Sequence, residues 1–269
     1  MPELYAVELK EVKATSGGFE VLSSASVGFP QGICSVVMGQ AGSGKSTLLK
    51  VAAGLVPADS GYVLWHGKDL SALGRKDELE FRSKSGFAFQ DAALWADTSI
   101  LRNVIMPLRI HKPWMGDSLM AQKAADLLKK LGYRESLALR PAELSIGEQK
   151  IASIARAVIH DPEILFMDDP TSSLDEDAVD SLFAFLEDFN ARQKTVIIMA
   201  NSSELAYRFA DRLGIIKNGS MMAFGTYDET LESAEEAFYG SIARLKARGS
   251  RKKAGKIANG AGNSGWSEA

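Results

Sequence analysis

Gly39-Gln40-Ala41-Gly42-Ser43-Gly44-Lys45-Ser46-Thr47 stands between an apolar run at 33–38 and a helical pattern at 45–53 that Gly54 and Pro57 close. A strand that runs into a glycine-rich turn and then a helix is the setting in which this spacing grips phosphate. The glycines let backbone amides turn inward on the anion, Lys45 neutralises the outer phosphates, and the Ser46 hydroxyl is placed to ligate magnesium. The expected ligand is a nucleoside triphosphate with its Mg2+.

Outward from this turn, apolar runs rich in Val, Ile and Phe recur at 86–89, 163–167, 195–199 and 212–216, and several of them read as buried parallel strands. Helical patterns lie between them, as at 177–190, where Leu182, Phe185, Leu186 and Phe189 share one face. Strands alternating with helices predict an α/β sheet that holds its ligand at the strand ends. Residues 5–13, 19–29 and 61–66 read instead as half-buried antiparallel strands. Residues 91–155 carry little strand signal and predict a helical insertion, clearest at 99–109, 118–131 and 148–159. Residues 1–230 are expected to form the nucleotide-binding domain. Residues 231–269 are expected to form a C-terminal helix over 232–247 and a disordered basic tail rich in Gly, Ser, Lys and Asn.

Over 269 residues, 46% are hydrophobic and 24% charged, enough for a sizeable core, and the formal net charge is -3. No broad basic field is present to release counterions from a polyanion, so nucleic acid is not an expected ligand. The single cysteine, Cys34, lies in the apolar run before the turn and reads as a small buried residue. No segment approaches the roughly 20 apolar residues of a membrane span, and Met1-Pro2-Glu3-Leu4 has no leader pattern. The chain is expected in the cytoplasm, peripheral on the inner face of the membrane, with any membrane association coming from partner subunits or from a surface patch.

The metal calls for a carboxylate from the strand beside the phosphate turn. Ile164-Leu165-Phe166-Met167-Asp168-Asp169-Pro170 supplies one as an apolar strand that ends in two acids. Asp168 is expected to anchor the metal and Asp169 to face the attacking water.

With these residues in place, four further motifs fall in an order that resembles the ATP-binding subunits of ABC transporters, over residues 5 to about 225. The resemblance implies a P-loop NTPase (RecA-like) α/β core with an antiparallel β subdomain and a helical insertion, and an ATPase that uses ATP and Mg2+. Gln90, closing Gly86-Phe87-Ala88-Phe89-Gln90, matches the family's glutamine that contacts magnesium and water and passes closure to the membrane subunits. Leu144-Ser145-Ile146-Gly147-Glu148-Gln149 matches the signature, whose serine and glycine amide cap the γ-phosphate held by the opposite monomer. Ser172-Ser173-Leu174-Asp175 matches the family's D-loop, and residues 195–201 lead to the position of its histidine. The implied partners are transmembrane permease subunits and a second ATPase subunit, in a homodimer or heterodimer. ATP then joins the halves, and its hydrolysis releases them.

Four departures bear on mechanism. Asp169 occupies the catalytic glutamate's place and is one methylene shorter. Asn201 occupies the histidine's place and donates a hydrogen bond but carries no charge. Ile146 replaces a signature glycine, and Glu148 a glutamine, adding bulk and negative charge. A displacement near 1 Å costs on the order of a hundredfold in rate, so hydrolysis is expected to be slow. A homodimer would hold two doubly altered sites, whereas a heterodimer with an ordinary partner would alter one side of each.

Within the family, Phe89-Gln90-Asp91-Ala92-Ala93-Leu94-Trp95, then Asn103-Val104, Pro107-Leu108 and Pro141-Ala142-Glu143-Leu144-Ser145, are similar to Mla-type lipid-trafficking ATPases. Ala92, Ala93, Leu94 and Trp95 are candidates for the groove that receives a permease helix, or for an ordinary helical core. Phe19 is a candidate base-stacking aromatic, or simply the hydrophobic start of a strand. The alternative function is an ATP-responsive scaffold outside transport, with little or no hydrolysis.

Overall fold

The computed structural model describes residues 4–233 and 241–248. Its strands form two sheets. The long strands β1 (Tyr5–Ser16) and β2 (Phe19–Pro30) pair as an antiparallel hairpin, and β4 (Ser60–Trp65) and the short β5 (Lys68–Asp69) extend it in the order β2-β1-β4-β5. The second sheet has six strands in the order β10-β9-β3-β8-β7-β6. Its parallel members are β3 (Cys34–Met38), β6 (Ser85–Ala88), β7 (Ile164–Asp168), β8 (Thr195–Ala200) and β9 (Arg212–Lys217), and β10 (Ser220–Gly225) runs antiparallel along one edge.

The central parallel strands β3, β7 and β8 are mostly apolar and buried along their length because both faces are covered. In β3, Val36 and Met38 face one core while Val37 faces the other. In β7, Leu165 and Met167 alternate in the same way with Ile164 and Phe166. One core lies under α1 (Lys45–Ala52) and the antiparallel sheet. The other lies under α3 (Ile100–His111), α4 (Asp117–Lys130), α5 (Ile146–Val158), α6 (Glu176–Ala191) and α7 (Ser203–Phe209). Helices α3, α4 and α5 pack on one another as the expected helical insertion, and α5 also packs against β6, so the insertion is seated on the sheet edge.

Several elements escape the sequence pattern, among them the short β5 and three others. Helix α2 (Arg75–Lys84) buries only Phe81, so it shows no apolar stripe; Arg82 holds it in place by donating to the carbonyls of Ala53 and Gly54. Helix α7 is too short to show a period, and β10 is a half-buried edge strand. A correction concerns strand order. The strand bearing Asp168 was expected beside the phosphate-turn strand, but β8 lies between β3 and β7. The two sites still meet because α1 packs across both β7 and β8. After α8 (Tyr227–Ser233), residues 234–240 lie outside the described residues, and α9 (Ser241–Arg248) covers part of the helix expected over 232–247. The tail expected over 248–269 lies outside them from residue 249 onward.

Phe166 is fully buried in β7, two residues before Asp168, and stacks on Phe87 with ring centroids 6.2 Å apart. Phe166→Ala leaves a cavity there and is expected to lower stability by about 3–5 kcal/mol in urea unfolding.

Candidate functional site

The site lies at the carboxyl ends of the parallel strands. Gly39, Gln40, Ala41, Gly42, Ser43 and Gly44 form the loop from β3 to α1, and Lys45, Ser46 and Thr47 make the first turn of the helix. Gly44 has φ 98, and a Cβ there would stand 2.9 Å from the Val21 carbonyl, so only glycine fits where β2 presses on the loop. Ser43 accepts from the Gly219 amide through its carbonyl at 3.0 Å, while its hydroxyl is buried without a protein hydrogen-bond partner. The Lys45 ammonium folds back over the loop, donating to the carbonyls of Gly39 at 2.7 Å and Gln40 at 2.9 Å. An incoming phosphate offers that ammonium a stronger, charged acceptor.

Ser46 Oγ donates to Asp168 Oδ1 at 3.0 Å, bringing the two expected magnesium ligands together. Asp168 is buried at the end of β7. Its carboxyl is pushed above the usual range by burial, against the pull of the Ser46 hydrogen bond, Lys50 and Lys150. Burial likewise lowers the Lys45 ammonium, with Asp169 and Asp168 opposing it. The donor set is all oxygen, which suits magnesium, an ion that takes one or two protein ligands and completes its shell from phosphate and water.

Asp169 turns away from the strand with φ 45, its amide donating to the Met199 carbonyl at 2.8 Å. Its Oδ2 accepts from Asn201 Nδ2 at 3.0 Å. The two altered positions are therefore partners, a relation with no sequence signal because β7 and β8 contribute one each. Gln90 is exposed just beyond β6, next to this cluster through the shared edge of β7.

Ser145 and Gly147 open α5, away from the β3 loop in sequence and bonded locally. Ser145 Oγ accepts from the Glu148 amide at 3.2 Å, and Glu148 Oε2 accepts from both the amide and the hydroxyl of Ser145 at 2.7 Å. This is a capping box, and the Ser-x-x-Glu spacing could have revealed it. The negative charge added by Glu148 is thus spent on the signature serine itself. A Cβ at Gly147 would stand 2.7 Å from the Ser173 carbonyl, so the segment leading to Asp175 fixes that glycine. Asp175 caps α6, accepting from the Ala178 amide at 2.8 Å. Ile146 is 71% exposed beside these groups.

Two other candidates separate. Phe19 is 77% exposed at the hairpin tip, two residues from the Val21 carbonyl that abuts Gly44. Ala92, grouped with Ala93, Leu94 and Trp95 as a partner groove, is buried instead, its carbonyl held by Arg156 Nη2 at 3.0 Å. Trp95 is half exposed, and its backbone is fixed by the buried Asn103 side chain.

A phosphate-binding loop, a part-buried Ser–Asp pair beside it and a second acid just beyond the strand end define a P-loop ATPase of the α/β class. The ABC transporter family profile matches residues 22–172. The chain is 30% identical over 230 residues to the intermembrane phospholipid transport system ATP-binding protein MlaF of Haemophilus influenzae, covering 85% of this chain and 87% of that protein. It is 35% identical to the lipoprotein-releasing system ATP-binding protein LolD of Psychrobacter arcticus, over 68% of this chain and 81% of that one. Among solved structures, a dimeric ATP-binding cassette in a post-hydrolysis state bound to ADP and Pi superposes with TM-score 0.75 at 28% identity, covering 82% of this chain and 98% of its own. The chain belongs to the ABC transporter family and is an ATP-binding subunit. The ATP-binding subunits of this family work as dimers beside permease subunits. Among the described residues no helix is long and apolar enough to cross a membrane.

Glu148→Ala removes one half of the capping box and is expected to cost about 0.5–2 kcal/mol in urea unfolding.

Proposed function

We propose that this subunit couples MgATP binding and slow ATP hydrolysis to lipid movement by its permease partners, from the cytoplasmic face of the membrane. The observation that carries the ATPase reading is the Ser46–Asp168 hydrogen bond beneath the loop crossed by Lys45. Its two oxygens fit magnesium, with Gln90 as the third candidate, and the ion when bound would supply positive charge to the phosphates.

The loop amides at 39–46 bind the phosphates, and Lys45 leaves the Gly39 and Gln40 carbonyls to meet the outer oxygens. Phe19 offers its free face to the base. The second subunit brings Ser145 and the Gly147 amide to the γ-phosphate, with Asp175 at the same face. Water attacks γ-phosphorus in line, the bridging oxygen leaves with ADP, and Asp169 takes the proton. Two features support slow turnover. The Asp169 carboxylate is short and already engaged by Asn201, and Asn201 brings no positive charge to the developing oxyanion. Lipid as cargo is supported by the breadth of the match to the phospholipid-transport relative.

The same Asp169–Asn201 bond also favours a second reading, a nucleotide-gated scaffold that closes without chemistry. Permease subunits in phospholipid vesicles separate the two. Stimulated phosphate release supports the transporter, and nucleotide-dependent dimerisation without turnover supports the scaffold.

Lys45→Ala removes a charged hydrogen-bond donor and is expected to weaken binding of labelled ATP by about tenfold or more; equal uptake by both proteins would end the phosphate-grip reading. Asp169→Glu is expected to raise steady-state turnover several-fold, and an unchanged or lower rate would count against the short reach of the aspartate.

A further inference from the structure

Lys150 lies in α5, one turn beyond Ser145, and is only 2% exposed. A buried ammonium is costly unless each of its donors meets an acceptor. Three acceptors are present: Nζ donates to the backbone carbonyls of Phe89 at 3.0 Å, Gln90 at 2.9 Å and Asp168 at 3.2 Å. These carbonyls come from two different segments, the turn after β6 and the end of β7. The turn is also the one in which Ala92 and Ala93 take the left-handed backbone, with φ 62 and 46. Arg156, on the same helix, donates to the Ala92 carbonyl. Non-glycine residues keep such angles only when their surroundings hold them there.

A methionine would fill the same volume without burying charge, so packing alone does not account for a lysine here. We infer that Lys150 is a positioning residue for ATP hydrolysis, its ammonium fastening Gln90 and the Asp168–Asp169 strand end to the helix that presents Ser145. One rigid α5 thereby links the chain's own metal-side residues to the serine it offers the partner's site. A displacement of the 89–93 turn reaches both. This inference rests on the roles proposed above for Gln90, Asp168 and Asp169.

The test compares the full chain with Lys150→Met and Lys150→Arg. Without nucleotide, amide hydrogen exchange at residues 89–93 is expected to quicken about tenfold or more in the Met protein, while the amides of β3 keep their protection. With MgATP, the Met protein is expected to hold its ATP affinity within about twofold and to lose about tenfold or more in kcat. Lys150→Arg, which keeps charge and donors, is expected to recover part of that loss. Should the Met protein not fold, Lys150→Gln, neutral but still a donor, takes its place in the same measurements. Wild-type kcat with unchanged exchange at 89–93 in the uncharged protein overturns the inference, as does an equal loss of ATP affinity and kcat, or an Arg protein no better than Met. If the unsubstituted chain fails to hydrolyse ATP, the proposed function falls, and the nucleotide-free exchange still decides whether Lys150 fastens the turn.

Discussion

A single hydrogen bond of 3.0 Å, from Ser46 Oγ to Asp168 Oδ1, joins the first turn of α1 to the last residue of β7, a strand that is not paired with the β3 strand leading into that helix. The rest of the architecture serves to keep that bond in place. Strand β8 spaces β3 from β7, α1 lies across the gap, and two apolar layers clamp the sheet. Close packing makes such a spacing hard to alter, because a core filled to crystal density does not stretch to follow a misplaced side chain. The carboxylate is held in a partly desolvated position that raises its proton affinity, and it becomes more useful to a divalent ion than to bulk water.

Around this bond, the polar residues that depart from the family pattern are satisfied by one another or by their nearest neighbours, while Ile146 stays exposed. Asp169 and Asn201 share a hydrogen bond across β7 and β8. Glu148 is absorbed by the Ser145 amide and hydroxyl. A longer acid at 169 or a charged ring at 201 would meet a different partner in each case, so the two positions form one electrostatic unit. The cap at Ser145 has a comparable double character. Its hydroxyl completes a helix start and is the group proposed to meet the nucleotide held by the second subunit.

Long-range order in the site runs through α5. One end of that helix packs Gly147 against the Ser173 carbonyl, and its buried face carries the two cations that hold the turn after β6. Buried cations on backbone carbonyls are rigid links, since leaving any one acceptor unmet inside the fold is costly. The Ser173 segment, the signature helix and the Gln90 turn are therefore joined through one helix.

The sequence by itself determined the phosphate loop, the acidic strand end, the alternation of strands and helices and the helical insertion. All of these rest on local spacing, on apolar runs or on helical periodicity that a linear reading detects. Even the capping box at Ser145 and Glu148 was open to such a reading. Only the tertiary structure decided that β8 separates β3 from β7, that Asn201 partners Asp169, that Ala92 is buried under Arg156, and that Lys150 reaches three carbonyls from two segments. The physical reason is common to these four. Each depends on which strand or helix lies beside which, and that order is set by the burial of whole faces, a property no short stretch of residues carries.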